Sequence, residues 1–353
     1  MNLIDILNKE ELSKEEIIFL LSLKSEDEIA MLHKRADEVR KHYCSDNVHL
    51  RGIIEFSNHC VQNCPYCGLR ISNKKLIRYR MSKDEILETA KQISEAGIKT
   101  IVLQSGEDFW FDEAFIFNLI STIKEKFDVA ITLSLGERKF TEYISWRRAG
   151  ADRYLLKHET ANPKIYSKLH QKQKLFERIN HLFFLKSIGF QIGSGNIIGL
   201  PNQSLEDIAD DLLLCEKLEC DMASFSPFIP ASDTPFRNIE KASLELTLKT
   251  MATARIVLKD THIPATTALG VLDETGRIKG LQTGANVVMP NYTPHPYREN
   301  YRIYDGKICI TESTIDCGSC VRLMIESLGR KVALDHGDSL KFVAVNLTLN
   351  TPV

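Results

Sequence analysis

The sequence predicts an α/β fold: a (β/α)8 TIM-type barrel, with a helical lead-in before it and a capping extension after it. Three observations point there. Eight short apolar runs alternate with amphipathic helical segments, and strands separated by helices imply a parallel sheet, because parallel neighbours need a crossover. Gly97, Gly150 and Gly189 each follow a helical segment, where a left-handed C′ residue is wanted. A count of eight favours a closed barrel, with an open six-stranded partial barrel as the competing architecture.

The elements follow in order. Residues 1–48 read as the helical lead-in. Ser13 stands three before Glu16, a capping-box spacing, ahead of Ile17, Ile18, Leu20 and Leu21. Ile29, Leu32, Ala36 and Val39 form a stripe on a second helix. The barrel is expected over 49–290, with strands at 53–56, 100–103, 129–133, 153–156, 191–198, 222–225, 263–268 and 285–289. Helices are expected at 83–96, 113–126, 141–149, 176–188, 205–218 and 244–258. Residues 274–284 make a poor helix before the last strand. Residues 291–353 form the extension, rich in aromatics and proline up to 335; the tail beyond carries no recognisable site, as a small strand or a loose end.

Composition excludes several classes. With 353 residues and 43% hydrophobic content the chain has a real core. A net charge of −2 gives no signal for nucleic acid. The N-terminus lacks a basic region followed by an apolar one, and no apolar run approaches the roughly 20 residues that span a bilayer. Nine cysteines without an export signal point to a reducing, cytoplasmic setting and to metal ligation.

The chemistry begins at Cys60-Val61-Gln62-Asn63-Cys64-Pro65-Tyr66-Cys67. Three thiolates on one loop can hold three corners of a [4Fe–4S] cube, leaving the fourth iron open for chemistry. Zinc, completed by a histidine such as His59, is the alternative, along with a disulfide and one free thiol. The C-x3-C-x2-C spacing, with Tyr66 before the last cysteine, resembles the signature of the radical S-adenosylmethionine (radical SAM) enzymes. The resemblance implies that SAM chelates the open iron through its amino and carboxylate groups. One electron then enters the sulfonium, and a 5′-deoxyadenosyl radical results.

Strand ends of a barrel meet at one face, so the SAM site should be built there. Gln104-Ser105-Gly106-Glu107-Asp108 follows the second strand, where the family carries a Gly-Gly-Glu-type element for the SAM amine; an ordinary turn with a helix cap would look the same. Ser134 ends the third strand and Glu159 follows the fourth. A carboxylate suits the sulfonium and ammonium of SAM. Arg178 is a candidate for its carboxylate, a solvated helix face being the alternative. Gly195 and Ile197 lie on the fifth strand, where glycine admits a close ligand and the residue order resembles the adenosine-contacting strand. Cys309, Cys317 and Cys320 form a second set outside the barrel, read as an accessory [2Fe–2S] or [4Fe–4S] cluster, with zinc or unligated thiols as alternatives. Cys44, Cys215 and Cys220 have no assigned role.

Further segments sharpen the resemblance. They include 67–70, 78–81, 100–108, 132–137, 151–163, 227–230, 263–268 and 284–291. Together they are similar to the HydE family of radical SAM maturases, which serve assembly of the [FeFe]-hydrogenase H-cluster. The similarity runs from about 49 to about 335 and departs at Lys157, where arginine is expected. It implies a substrate in the form of an iron bearing CO, cyanide and cysteine, whose sulfur the radical attacks. Gln104, Thr266, Thr267, Asn291, Tyr301 and Tyr304 are the candidate donors to that anion, each also readable as a packed polar residue or turn cap. The implied partners are other hydrogenase maturases and an electron donor such as ferredoxin or flavodoxin. A methylornithine synthase, a biotin-synthase-like enzyme or a non-enzymatic metal protein are the competing readings.

Overall fold

The computed structural model describes residues 2–308 and 314–341, without the side chains of 314–317. Its strands are β1 (Asn47–Leu50), β2 (Gly52–Ser57), β3 (Thr100–Ser105), β4 (Ala130–Ser134), β5 (Arg153–Leu155), β6 (Gln191–Ile198), β7 (Met222–Pro227), β8 (Val287–Val288) and β9 (Lys331–Val332). The central sheet is six-stranded and parallel, in sequence order from β2 to β7. Crossover helices run at Lys83–Glu95, Glu113–Lys126, Phe140–Arg148, Leu175–Ser187, Leu205–Lys217 and Leu244–Leu258. Each lies within about two residues of its expected place, because the apolar spacing that builds the core is local.

The seventh and eighth expected strands are corrected. Residues 263–268 make single bridges rather than a strand: Ala223 N–H donates to His262 O, and Ala265 N–H to Val287 O. Pro264 interrupts that run, since it has no N–H to add to a ladder. The eighth shrinks to β8, preceded by a helix at Gly276–Gln282 that the composition did not announce. The circle still closes through backbone bonds: Arg51 N–H donates to Val288 O, Ile53 N–H to Pro290 O, and Tyr292 N–H to Ile53 O. The result is a parallel α/β core of the partial-barrel kind, with N- and C-terminal additions. β1 lies between β8 and β9, parallel to both.

The lead-in helices Lys14–Ser22 and Glu26–Cys44 cover the outer face of Leu244–Leu258. Ser13 and Glu16 form the expected capping box. Leu20, Leu32, Ala36, Ala252 and Ile256 make a second apolar cluster there. This explains why Leu244–Leu258 is buried on nearly every side: barrel on one face, lead-in on the other.

The tail is corrected too. Residues 336–341 run under the starting ends of the strands. Thr100 Oγ1 and Arg153 Nη2 donate to His336 O, Arg51 Nη2 to Gly337 O, and Ser339 N–H to Gln191 Oε1. Thr100, Arg153 and Gln191 open β3, β5 and β6. The segment therefore plugs the N-terminal end of the sheet, opposite the strand ends that carry the cysteine loop.

Candidate active site

The loop after β2 carries Cys60, Cys64 and Cys67, and its shape is enforced by backbone capture. Arg78 spends its guanidinium on the carbonyls of Asn58, Leu69, Arg70 and Asn73. Val61 N–H donates to Glu107 O, and Gly68 N–H to Ile303 O. A Cβ on Gly106 would lie 2.3 Å from His59 O and 2.8 Å from Cys60 Cβ. Gly106 thus lets the turn after β3 pass against the cysteine loop.

The three thiols line one cavity of about 390 Å³ at the strand ends. All three are free. Burial pushes each thiol's pKa up, Cys67 to about 12, and repulsion among the sulfurs adds to it at Cys64 and Cys67. Such thiolates form when a cationic centre offsets their charge. Among the described residues no three Cys, His, Asp or Glu side chains gather on one point as a single ion requires. Three thiolates on one loop match the donor set of a cube, which takes one thiolate per iron. His59 lines a separate outer recess and does not complete a zinc site.

The same cavity gathers Tyr66, Gln104, Ser105, Glu107, Ser134, Glu159, Arg178, Ile197, Thr266, Thr267, Tyr301 and Tyr304. Glu107 is buried; it accepts from Glu137 N–H at 3.1 Å and Gln173 Nε2 at 3.0 Å. Gly136, at φ +72°, makes this possible, because a Cβ there would stand 1.9 Å from Glu107 Cγ. Arg178 is buried rather than solvated. It binds Glu137, the Lys157 carbonyl at 2.9 Å and Gln173 Oε1 at 3.0 Å. Burial opposes its charge, but Tyr166, Glu137 and Glu107 outweigh that and hold its pKa above the ordinary arginine value.

Glu159 sits at φ +63° and bridges into β6: its N–H donates to Gly195 O, and Ile197 N–H donates to its carbonyl. Its Oε2 lies 3.2 Å from Lys157 Nζ, yet outside hydrogen-bond geometry with any described group. The Thr266 hydroxyl is likewise buried without a partner among the described residues. A carboxylate paired only with Lys157 and a hydroxyl without a partner among the described residues, on the wall of one cavity, are suited to a polar ligand. Thr267 and Tyr304 share a hydrogen bond of 2.9 Å, and Gln104 Nε2 donates to Tyr301 Oη at 3.2 Å.

Two expectations shift. Asn291 does not line the cavity: it donates to Glu55 Oε2 at 2.8 Å and accepts from Thr293 N–H. Gly195 is not among the residues lining the cavity, and a Cβ there would meet Ser224 O at 2.0 Å. Cys309 and the side chain of Cys317 lie outside the described residues, and Cys320 is exposed on the helix Thr314–Ser327.

Sequence reasoning missed several cavity residues. Glu55 and Lys307 form a buried ion pair at 2.5 Å, with the ammonium 5.0 Å from the Tyr301 ring centre. Glu55 had a signal, a lone acid within an apolar strand. Ser224 and Ser226 also had one: they alternate with Ala223 and Phe225, which face the core. His170 had none of its own. It caps the helix Pro163–Leu169, unforeseen despite Asn162 and Pro163 at its start. Its Nδ1 lies 3.6 Å from Cys64 Sγ and its Nε2 3.5 Å from Tyr66 Oη. Burial, then Arg178, pushes its pKa down to about 4.

A parallel α/β core with a three-cysteine loop at the strand ends defines a class. The radical SAM superfamily model matches residues 54–215, and the chain belongs to that superfamily. Within it, the chain is 48% identical over 335 residues to the [FeFe] hydrogenase maturase subunit HydE of Thermotoga maritima, covering 95% of this chain and 96% of the relative. It is 32% identical to the 3-methylornithine synthase of Methanosarcina acetivorans, over 79% of each chain. The crystal structure of methylornithine synthase (PylB) superposes with a TM-score of 0.85 at 28% identity, covering 94% of this chain and 97% of that one. The structure of the maturase HydG from Carboxydothermus hydrogenoformans shares the fold, with a TM-score of 0.78 at 23% identity. The protein is thus a radical SAM enzyme related to HydE and to methylornithine synthase, and membership implies SAM and an iron–sulfur cluster. No described helix is long and apolar enough to cross a membrane.

Proposed function

We propose that this protein is a maturase of the HydE kind, processing an iron–carbonyl–cyanide–cysteine precursor of the [FeFe]-hydrogenase H-cluster. The observation that carries the reading is the cavity itself. Gln104, Thr266, Thr267, Tyr301 and Tyr304 line the same cavity as the three cysteines, Gln104 bonded to Tyr301 and Thr267 to Tyr304, and an anion out of water needs several aligned donors. The likeness to HydE over nearly the whole chain supports it.

Cys60, Cys64 and Cys67 would hold a [4Fe–4S] cluster. With SAM bound, it supplies one electron to the sulfonium, giving methionine and a 5′-deoxyadenosyl radical. Glu107, fixed by Gln62, Gln173 and Glu137 N–H, would bind the SAM ammonium; Arg178 balances Glu107 and Glu137. Glu159, ion-paired with Lys157, would add a second carboxylate toward the same cation. Tyr301 keeps its proton, because burial and then Glu55 push its pKa well up, so it stays a donor to the substrate. The cavity's polar residues would hold the precursor so that its cysteine sulfur meets the chemistry this cofactor pair would supply, a one-electron attack at sulfur. Cys309, Cys317 and Cys320 would hold an accessory cluster.

In a reconstituted hydrogenase-maturation assay, omitting the protein should abolish active hydrogenase, and Thr267→Val should reduce it more than it reduces SAM binding. Full activity without the protein would refute the proposal. The second reading, a methylornithine synthase, rests on the close superposition with that enzyme; conversion of lysine to methylornithine would establish it instead.

A further inference from the structure

His170 meets the cysteine loop with both of its ring nitrogens. Nδ1 lies 3.6 Å from Cys64 Sγ, an ordinary separation for a hydrogen bond to the large sulfur atom, and Nε2 lies 3.5 Å from Tyr66 Oη. The ring thus reaches from the second cysteine of the loop to the aromatic residue two positions on.

Its surroundings leave the ring little freedom. Asn162 caps the helix Pro163–Leu169, its side chain accepting from Lys164 and Ile165 N–H. His170 ends that helix, and its own N–H donates to Tyr166 O. The Tyr166 ring stacks on the imidazole, with centres 4.7 Å apart and planes at 27°, and Tyr66 meets it edge-on at 6.1 Å. His170 is buried. A buried imidazole needs partners for its nitrogens, and the loop faces both. The partners place the hydrogen. A thiolate has lone pairs and no proton, so Nδ1 carries the N–H, and Nε2 accepts from the Tyr66 hydroxyl.

The other two thiols are served differently. The backbone N–H groups of Gln62 and Glu107 are directed at Cys60, and that of Leu69 at Cys67. At Cys64 the donor is a side chain, which a substitution can remove.

We propose that His170 is a positioning residue that donates an N–H···S hydrogen bond to the Cys64 thiolate and so raises the reduction potential of the cluster. The inference rests on the reading that Cys60, Cys64 and Cys67 hold an iron–sulfur cluster. Reduction adds one electron, taken from an external one-electron reductant, and no bond forms or breaks. Part of the added negative charge falls on the cysteine sulfurs. A donor aimed at one of them therefore stabilises the reduced form more than the oxidised form. Burial strengthens the effect, because a hydrogen bond is electrostatically stronger at low dielectric.

The test uses the anaerobically reconstituted protein without SAM, poised with dithionite and mediators and followed by EPR. His170→Leu removes the donor. It should shift the reduction equilibrium about tenfold toward the oxidised cluster, a potential about 59 mV more negative for one electron. His170→Asn keeps an N–H near the place of Nδ1 and should recover most of that shift. In protein labelled with nitrogen-15 histidine, the reduced parent cluster should show a histidine hyperfine coupling that both variants lack. Bound iron and thermal midpoints separate this role from packing, since a residue that only packs lowers those and leaves the potential in place. An unmoved potential in His170→Leu, an equal shift in His170→Asn, or no histidine coupling in the parent would overturn the proposal. If the reconstituted parent gives no four-iron EPR signal, the cluster reading itself fails, and this inference falls with it.

Discussion

Lys307 and Glu55 meet inside the cavity from different parts of the chain, the extension and β2. Asn291 and the Lys307 ammonium together saturate the Glu55 carboxylate. Removing one partner leaves a buried charge uncompensated, which costs about 3–5 kcal/mol. Lys307→Met is therefore expected to lower stability by about that much, and adding Glu55→Gln should recover part of it. Urea unfolding of the two singles and the double decides this; a double no better than the single would mean that the pair is not coupled. At Gly136, φ +72° and the Glu107 side chain exclude a Cβ. Gly136→Ala should raise the SAM dissociation constant at least about tenfold, since it displaces Glu107 (about 1.4 kcal/mol or more). Equilibrium dialysis with labelled SAM reads this directly.

At the scale of elements, the segment 336–341 holds the starting ends of the sheet together. Asp338 accepts from Arg153 Nη2 at 2.6 Å and Gln191 Nε2 at 2.7 Å, and its backbone carbonyl lies 3.2 Å from His262 Nε2. His49 stands beside this network, 4.9 Å from His262 edge to face, near Asp335. Burial, then Arg51, pushes its pKa down to about 4 from 6.5, against the pull of Asp335 and Asp338 and with Arg153 assisting. His262 is lowered as well, chiefly by burial. Both imidazoles are favoured neutral in the folded chain, so the unfolded chain binds protons first as pH falls. Their contribution is complete above pH 6.5 and is lost as pH falls toward 4. Unfolding midpoints should drop across that window, and less steeply in His49→Gln. Identical slopes in the two proteins would show that His49 does not report on the plug.

At the scale of the molecule, the two ends of the barrel divide the work. The strand starts are closed by the tail, and the strand ends carry the cysteine loop, Glu107, Glu159 and the polar side chains of the central cavity. Chemistry at one end should thus be separable from additions elsewhere. Cys64→Ser is expected to abolish dithionite-driven SAM cleavage, whereas alanine at Cys309, Cys317 and Cys320 should lower iron content and leave cleavage largely intact. Assays of 5′-deoxyadenosine and bound iron on both variants check this. Loss of cleavage in the triple variant, with normal folding, would make the second cysteine set catalytic.

Local pattern determined much of this protein. Helix positions and the first six strands of the barrel follow from apolar spacing and caps, which act within a few residues. The cysteine loop, Glu107, Ser134 and Glu159 were legible for the same reason: each belongs to a short motif or ends a recognisable strand. What tertiary structure alone decided depends on distant residues meeting. The Glu55–Lys307 pair spans β2 and the extension, Asn291 turns away from the cavity to serve that pair, and His170 reaches Cys64 only because the helix before it packs beside the loop. The tail looked featureless because its partners are mostly strand-starting side chains such as Arg153 and Gln191, which no periodicity marks. Hydrogen bonds and ion pairs across the fold are set by three-dimensional proximity, and a linear pattern records only the part of that proximity which is local.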